Sequence, residues 1–276
     1  MFPKIPHPPH TKIAWPRERL AAIDFIDEAS RQNTVYGMLE FDVTTPLALV
    51  REHEVRTGEK LSFTSYIIRC VAKAVEEQKR IAAYREKDKG LVVFEDVDVS
   101  TLIERKFDGG HHPTLYYVRN ANQKSFIEIH RELRESQDRK VDEKTLTEEK
   151  TTSFLRMPRF IRKWMLRAMR RDPFIKKFAT GTVGVTSVGM LAPSNRRSWI
   201  LPVSPYTLMI GIGAFYKAPA VVDDRIEARE MVALTVCVDH DVVDGGPAAR
   251  FTTRFGQLIE AGFELPGGPE EVQTDT

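Results

Sequence analysis

The sequence has only two cysteines among its 276 residues, Cys70 and Cys237, each inside an apolar run. Neither a disulfide framework nor a cysteine-built zinc site can be assembled from such a pair, and two buried structural thiols are expected. An excess of one charge is lacking as well. The 41 basic side chains face 39 acidic ones, a formal net charge of +2, which argues against a general nucleic-acid-binding surface. No uninterrupted apolar stretch approaches the length of a bilayer span. Pro3, Pro6, Pro8 and Pro9 stand where a secretory signal would need an apolar block, so residues 1–16 read as an extended arm of a cytoplasmic protein. Internal repeats and low-complexity linkers are missing too, and with 42% apolar residues the chain can bury one large core.

What is present is an alternation of two periodicities. Leu20, Ile23 and Ile26 mark a helical stripe over 17–30, and Val35 to Val43 alternates like a strand. Pro46 fits the first turn of a helix that stops near Gly58. Tyr66, Ile67, Cys70, Val71 and Ala74 lie one, three and four apart, the spacing of a core helix. LVVFEDVDVSTLIE reads as a strand pair broken at Glu95 and Asp96, PTLYYVRNA as a strand and FIEIHRELRES as a helix. GTVGVTSVGM, LPVSPYTLMIGIGAF and MVALTVCVDH are strand-like, and Ala249, Phe251, Phe255, Leu258 and Ile259 suit a helix. The charged run Asp138 to Lys150 is expected to be a solvated loop or exposed helix. One α/β domain over 17–265 and a loose tail over 266–276 follow.

The chemistry concentrates in Asp239-His240-Asp241-Val242-Val243-Asp244-Gly245-Gly246, where an apolar strand runs out into a glycine turn. Such a junction can present an imidazole at the rim of a sheet, with Asp244 four residues on to hold local geometry. Gly245 and Gly246 would permit backbone angles closed to other residues. A neutral imidazole can take a proton from a thiol or hydroxyl and return it to a leaving group. Adjacent His111 and His112 after Gly109-Gly110 make a poor chelate and read as loop residues, and no other metal-ligand spacing occurs. Gly211-Ile212-Gly213 lacks the third glycine of a dinucleotide loop and reads as strand packed close to another backbone.

DHDVVDGGPAARF resembles the active-site signature of the acyltransferase component of 2-oxo acid dehydrogenase complexes, within the wider set that includes chloramphenicol acetyltransferase. RERLAAIDFIDEASRQNTVYGMLEFDVT, KLSFTSYIIRCVAKAVEEQKRIAAY, GLVVFEDVDVSTLIE and TVGVTSVGM are similar to successive blocks of the same family. The resemblance implies a chloramphenicol acetyltransferase-like α/β fold, a two-layer sandwich of a mixed sheet with helices. It also implies a homotrimer with active sites at subunit interfaces and an acyl group passing between coenzyme A and a lipoyl thiol. By position, His240 is the general base, Asp244 the orienting carboxylate and Gly245 part of the turn. Thr186 is the oxyanion donor, with Ser187 beside it. WPRER is similar to a stretch whose arginine pairs with the motif aspartate, which makes Arg17 the candidate and Arg19 the fallback.

Three departures from that pattern stand out. Asp241 follows the histidine where dehydrogenase-complex members carry arginine, which puts lipoyl specificity in question. No lipoyl or subunit-binding segment precedes the domain, so a lipoyl group would arrive in trans or the acceptor is another thiol, hydroxyl or amine. Between Arg156 and Lys177 nine basic side chains face Asp172 alone, in a helical insertion over 155–178 that could pack on its own subunit, meet an anionic membrane or acidic partner, or receive the phosphates of coenzyme A. A catalytically idle trimeric scaffold or membrane-surface adaptor is the alternative to an enzyme.

Overall fold

The computed structural model describes residues 8–15, 19–107, 110–138, 154, 156–188 and 196–273. Its helices are α1 (Arg19–Ala29), α2 (Thr44–Thr57), α3 (Phe63–Glu77), α4 (Phe126–Asp138), α5 (Arg159–Arg171), α6 (Pro173–Thr180) and α7 (Gly245–Ala261). The strands are β1 (Thr34–Asp42), β2 (Tyr84–Glu86), β3 (Gly90–Val92), β4 (Val99–Phe107), β5 (Gly110–Val118), β6 (Val183–Ser187), β7 (Leu208–Val222) and β8 (Arg225–Asp239). Six of these form one mixed sheet in the order β1-β8-β7-β6-β4-β5, with β6 parallel to both its neighbours and every other pair antiparallel. This is the expected α/β sandwich.

The core lies on one face of that sheet. Val232, Leu234, Val236 and Val238 alternate along β8 and are buried against helices, because a strand sends every second side chain the same way. α3 meets them with Tyr66, Ile67, Cys70, Val71 and Ala74, all fully buried. Ser62 caps this helix by accepting a hydrogen bond from the Ser65 amide at 3.3 Å. α7 packs beside it through Phe251, Phe255, Leu258 and Ile259. The Tyr66 hydroxyl donates to the carbonyls of Leu258 (2.9 Å) and Ile259 (2.7 Å) in the last turn of α7, adding to the bonds they accept from the Gly262 amide. Gly58 ends α2 in the left-handed conformation at φ 75°, where the sequence placed the stop.

The opposite face is covered by a strap, residues 196–207. LPVSPY was expected to begin a strand, but β7 starts only at Leu208, since Pro202 and Pro205 have no amide to donate to a ladder. At three positions the strap lies so close that a side chain beneath it is excluded. A Cβ on Gly213 would stand 2.2 Å from the Ser198 carbonyl oxygen, one on Gly211 2.8 Å from Ile200, and one on Gly184 2.7 Å from the Tyr206 ring. The Trp199 indole donates to the Leu39 carbonyl (3.1 Å) and the Ala214 amide to that of Ser198 (3.0 Å), fixing the strap to the sheet. Gly211-Ile212-Gly213 is therefore the close-packed strand that was expected.

Other expectations need correction. The two halves of LVVFEDVDVSTLIE do not pair: β3 joins β2 in a separate hairpin, while β4 enters the main sheet. His111 and His112 lie in β5 opposite Lys106 and Arg105, not in a loop. The run 139–150 falls outside the described residues. α1 does not bury the stripe of Leu20 and Ile26, which are 39% and 47% exposed; it buries Asp24, Glu28 and Ala29. The reason is α5. Arg162 pairs with Asp24 at 2.7 Å and is itself buried, Arg159 also reaches Asp24, Lys163 reaches Asp27, and Arg170 pairs with Glu28. The basic helix thus turns charge inward, leaving Phe160 and Trp164 exposed.

Gly213→Ala is expected to lower stability by about 1–3 kcal/mol in urea titrations, because the strap must move. Gly245→Ala, where a Cβ would meet nothing within 4 Å, should be neutral or slightly stabilising.

Candidate active site

His240 sits one residue beyond the end of β8, exposed at the tip of a tight turn. The amides of Val242 and Val243 both donate to the Asp239 carbonyl at 3.0 Å, and the Asp241 amide donates to the Asp239 carboxylate at 3.1 Å. These bonds fold the chain back on itself before α7 begins. From the other side, Asn33 grips the turn twice: its carbonyl accepts from the His240 amide (2.9 Å) and its Nδ2 donates to Asp241 Oδ1 (2.9 Å). Arg85 of β2 reaches Asp241 Oδ2 at 3.5 Å. Asp241, the residue that departs from the expected arginine, is thus an anchor for the histidine turn. Neither Asn33 nor Arg85 carried a signal in the sequence, since each meets the motif from more than 150 residues away.

Beneath the turn are two more groups the sequence did not mark as functional. Asp239 is buried, and burial pushes its carboxyl above the usual range, an effect that Lys176 and Arg85 oppose. Lys176 of α6 is also buried, with its ammonium 4.0 Å from the centre of the Tyr84 ring. Burial brings its pKa down to about 8, and Asp239 opposes the shift. The layer is closed by the Asp239 amide donating to the Thr207 carbonyl (2.9 Å) and the Thr207 hydroxyl donating to the Ala83 carbonyl (2.6 Å).

Asp244 stands at the N-cap of α7, where its carbonyl accepts from the Ala248 amide at 3.2 Å. Its carboxylate is exposed and has no hydrogen-bond or ion-pair partner among the described residues. Arg17 lies outside the described residues, and Arg19 is an exposed side chain of α1 with no ion pair among them. Gly245 is the first residue of α7 and has no positive φ, nor has Gly246. The expectation that these glycines serve a forbidden backbone conformation is therefore corrected: here they begin an ordinary helix.

Thr186 and Ser187 occupy the end of β6. Val183, Val185 and Ser187 share the helix-packed face, whereas Gly184 and Thr186 share the opposite one. In register, Thr186 lies opposite Gly211, and Gly211 opposite Thr235. Thr235 precedes Asp239 by four residues, so at about 3.3 Å per residue and about 4.8 Å per strand Thr186 is roughly 13 Å along and 10 Å across the sheet from Asp239. The imidazole stands at the rim of the sheet and the hydroxyl well inside it, at the end of the short β6. A single chain does not bring them together.

Among the described residues no three His, Cys, Asp or Glu side chains converge to hold a metal ion, and no helix is long and apolar enough to cross a membrane.

Because the lysine's folded pKa lies below its unfolded value near 10.5, the unfolded chain binds more protons between about pH 8 and 10.5. Lys176 therefore contributes a gain in stability as pH rises through that window. The difference in unfolding free energy between wild type and Lys176→Met should shift in the wild type's favour by about 2–3 kcal/mol from pH 7.5 to 10. Urea titrations at the two pH values check this, and equal slopes for both proteins would rule it out.

Comparison with known proteins places this geometry. The acetyltransferase component of the pyruvate dehydrogenase complex of Rickettsia felis is 27% identical over 202 residues, 73% of this chain and 40% of that protein. The chain thus spans about 40% of the length of these curated relatives. Among solved structures, a probable dihydrolipoamide acetyltransferase from Listeria monocytogenes superposes with a TM-score of 0.66 at 19% identity, covering 91% of this chain and 94% of that one. The cubic core of the pyruvate dehydrogenase multienzyme complex superposes with a TM-score of 0.63 at 18% identity, covering 94% and 97%. These likenesses establish the fold. A family model matches residues 19–155 and 150–265, which take in the whole sheet, its helices and the His240 turn, and the chain belongs to the family it describes, the 2-oxoacid dehydrogenases acyltransferase (catalytic domain).

Proposed function

We propose that this chain moves an acyl group between coenzyme A and a dihydrolipoyl thiol, with His240 as general base and Thr186 of a neighbouring copy as oxyanion donor. The observation that carries the reading is the separation of the motif residues on one sheet, about 13 Å along and about 10 Å across, too far for one chain to bring them together. A site that needs both must be built by two copies, which suits a cyclic homotrimer in which each interface is the same. His240 takes the proton from the attacking thiol, and sulfur adds to the thioester carbonyl carbon. The tetrahedral oxyanion accepts a hydrogen bond from the Thr186 hydroxyl. Collapse expels the other thiolate, which recovers the proton from the imidazolium.

Several features support this assignment. A base must be held in register with its substrate, and the His240 turn is tied by Asn33 on one side and by Asp239 on the other. Asp244 is left with an unpartnered carboxylate, free to orient the imidazole or to meet a cation such as Arg17 in the assembly. Thr186, not Ser187, is the donor we favour, because it lies on the face away from the helices. Two buried free thiols suit the reducing cytoplasm. Asp241 gives weight to a second reading, a small alcohol, amine or non-lipoyl thiol as acceptor, since its carboxylate replaces the arginine expected there. An idle scaffold is disfavoured by the retention of His240, Asp244 and Thr186 together.

Acyl exchange from a panel of acyl-CoAs to dihydrolipoamide, followed by free-thiol release, tests the reading. His240→Ala should lower kcat by about 10²- to 10⁴-fold without changing the oligomer seen by sedimentation. Undiminished turnover would remove His240 from the mechanism, and activity confined to alcohols or amines would move the chain to the second reading. Thr186→Val should lose about 10²- to 10³-fold. When His240→Ala and Thr186→Val chains are unfolded and refolded together in equal amounts, about a quarter of the shared sites regain both groups, so activity should return to about that fraction of wild type. No recovery would place the two groups in different sites.

A further inference from the structure

A cleft of about 670 Å³ opens between α5, the start of α6 and the β2–β3 hairpin. Six basic residues line it against two acidic ones, and two exposed rings, Trp164 and Phe174, stand among them. Not all of these cations are free. Arg31 and Arg170 both pair with Glu28 of α1. Asp172 is likewise engaged, accepting from the amides of Phe174 and Ile175. What remains is Lys87 and Lys89 on the hairpin, and Arg167 and Arg171 on α5, four exposed cations with no ion pair among the described residues; Glu86 is the remaining carboxylate.

The hairpin that presents the two lysines is tied by its own hydrogen bonds. Lys87 has a left-handed φ of 49°, the Lys89 amide donates to the Glu86 carbonyl (2.9 Å), and Arg85 donates to the Lys87 carbonyl (2.8 Å) and the Asp88 carboxylate (2.9 Å). Arg85 also reaches Asp241 of the histidine turn, so the cleft and the proposed active site share this hairpin. A flat anionic surface is a poorer match for the region. Arg159, Arg162 and Lys163, which could have met lipid headgroups, pair with α1, and the cations left over converge on a concavity.

Concave shape, a volume within the range of small-ligand pockets, converging guanidinium and ammonium groups and an exposed indole together define one ligand chemistry. We propose that this cleft binds a nucleoside carrying two or more phosphates, with the phosphates between Lys87, Lys89, Arg167 and Arg171 and the base against Trp164 or Phe174. Stacking on an aromatic face suits any base, so the site would read charge and ring more than base identity. Two sources share this chemistry, a free nucleotide and the nucleotide half of the acyl carrier. Only the second depends on the function proposed above.

Calorimetric titration of the full chain with ADP, adenosine 3′,5′-bisphosphate, adenosine and tripolyphosphate tests the site without turnover. We expect a bisphosphorylated nucleoside to bind at least about fivefold more tightly than tripolyphosphate or adenosine, and more weakly as salt rises. Arg167→Gln and Arg171→Gln should each weaken it by about tenfold with the circular dichroism spectrum unchanged. Nucleotide should quench the tryptophan fluorescence of wild type and not that of Trp164→Phe. His240→Ala should bind as wild type does, so that loss of catalysis and loss of this site are distinguishable. A KM for acyl-CoA raised by Arg167→Gln at constant kcat would identify the carrier as the occupant; an unchanged KM would identify a free nucleotide. Equal affinity for tripolyphosphate and nucleotide, undiminished binding by both arginine variants, or binding to phosphatidylserine vesicles in place of nucleotide would each overturn the proposal.

Discussion

β8 is held on both edges, by β1 from Thr34 opposite Asp239 to Asp42 opposite Met231, and by β7 along nearly its whole length. That register puts Val232, Leu234, Val236 and Val238 under α3 and α7 and ends the strand with Asp239 at the rim. A slip of one residue would turn the three valines and the leucine onto the strap side and carry His240 with them. The core and the position of the imidazole thus depend on the same pairing. Asn33, immediately before β1, extends it past the last strand residue by binding His240 and Asp241.

The second face of the sheet follows from a different constraint. Thr235 and Cys237 point away from the helices yet are as buried as the valines, because the strap covers them. Only glycine at 184, 211 and 213 lets the strap come that close. β6 is parallel to β7 and runs opposite to β8, so it carries the hydroxyl of Thr186 away from the rim at which β8 delivers the His240 turn. The separation of Thr186 from His240 within one chain is in this sense a consequence of strand register and of where β6 ends.

Charge is handled with similar economy. α1 and α5 meet through carboxylates and guanidinium groups, with Asp24 and Arg162 both buried. Such a pair needs each partner, since one left alone would be an uncompensated buried charge. The arrangement leaves aromatic side chains of α5 and α6 at the surface and gathers the remaining cations around one cleft. Arg85 links that cleft to Asp241.

Most element positions were legible in the sequence, because hydrophobic period and glycine stops are local properties. α2, α3, α5, α7 and the strand ending in Asp239 lie where spacing and punctuation put them, and the motif around His240 pointed to the family. Polarity inside α1 was not legible, since an amphipathic stripe says nothing of which helix will supply counter-charges. The strap was read as strand because apolar content alone does not distinguish a pairing segment from one lying across a sheet. Asn33, Arg85, Lys176 and the separation of Thr186 from His240 were decided by tertiary structure alone. They depend on which distant segments share an edge and on which way each strand runs, and those are properties of strand pairing that no local pattern encodes.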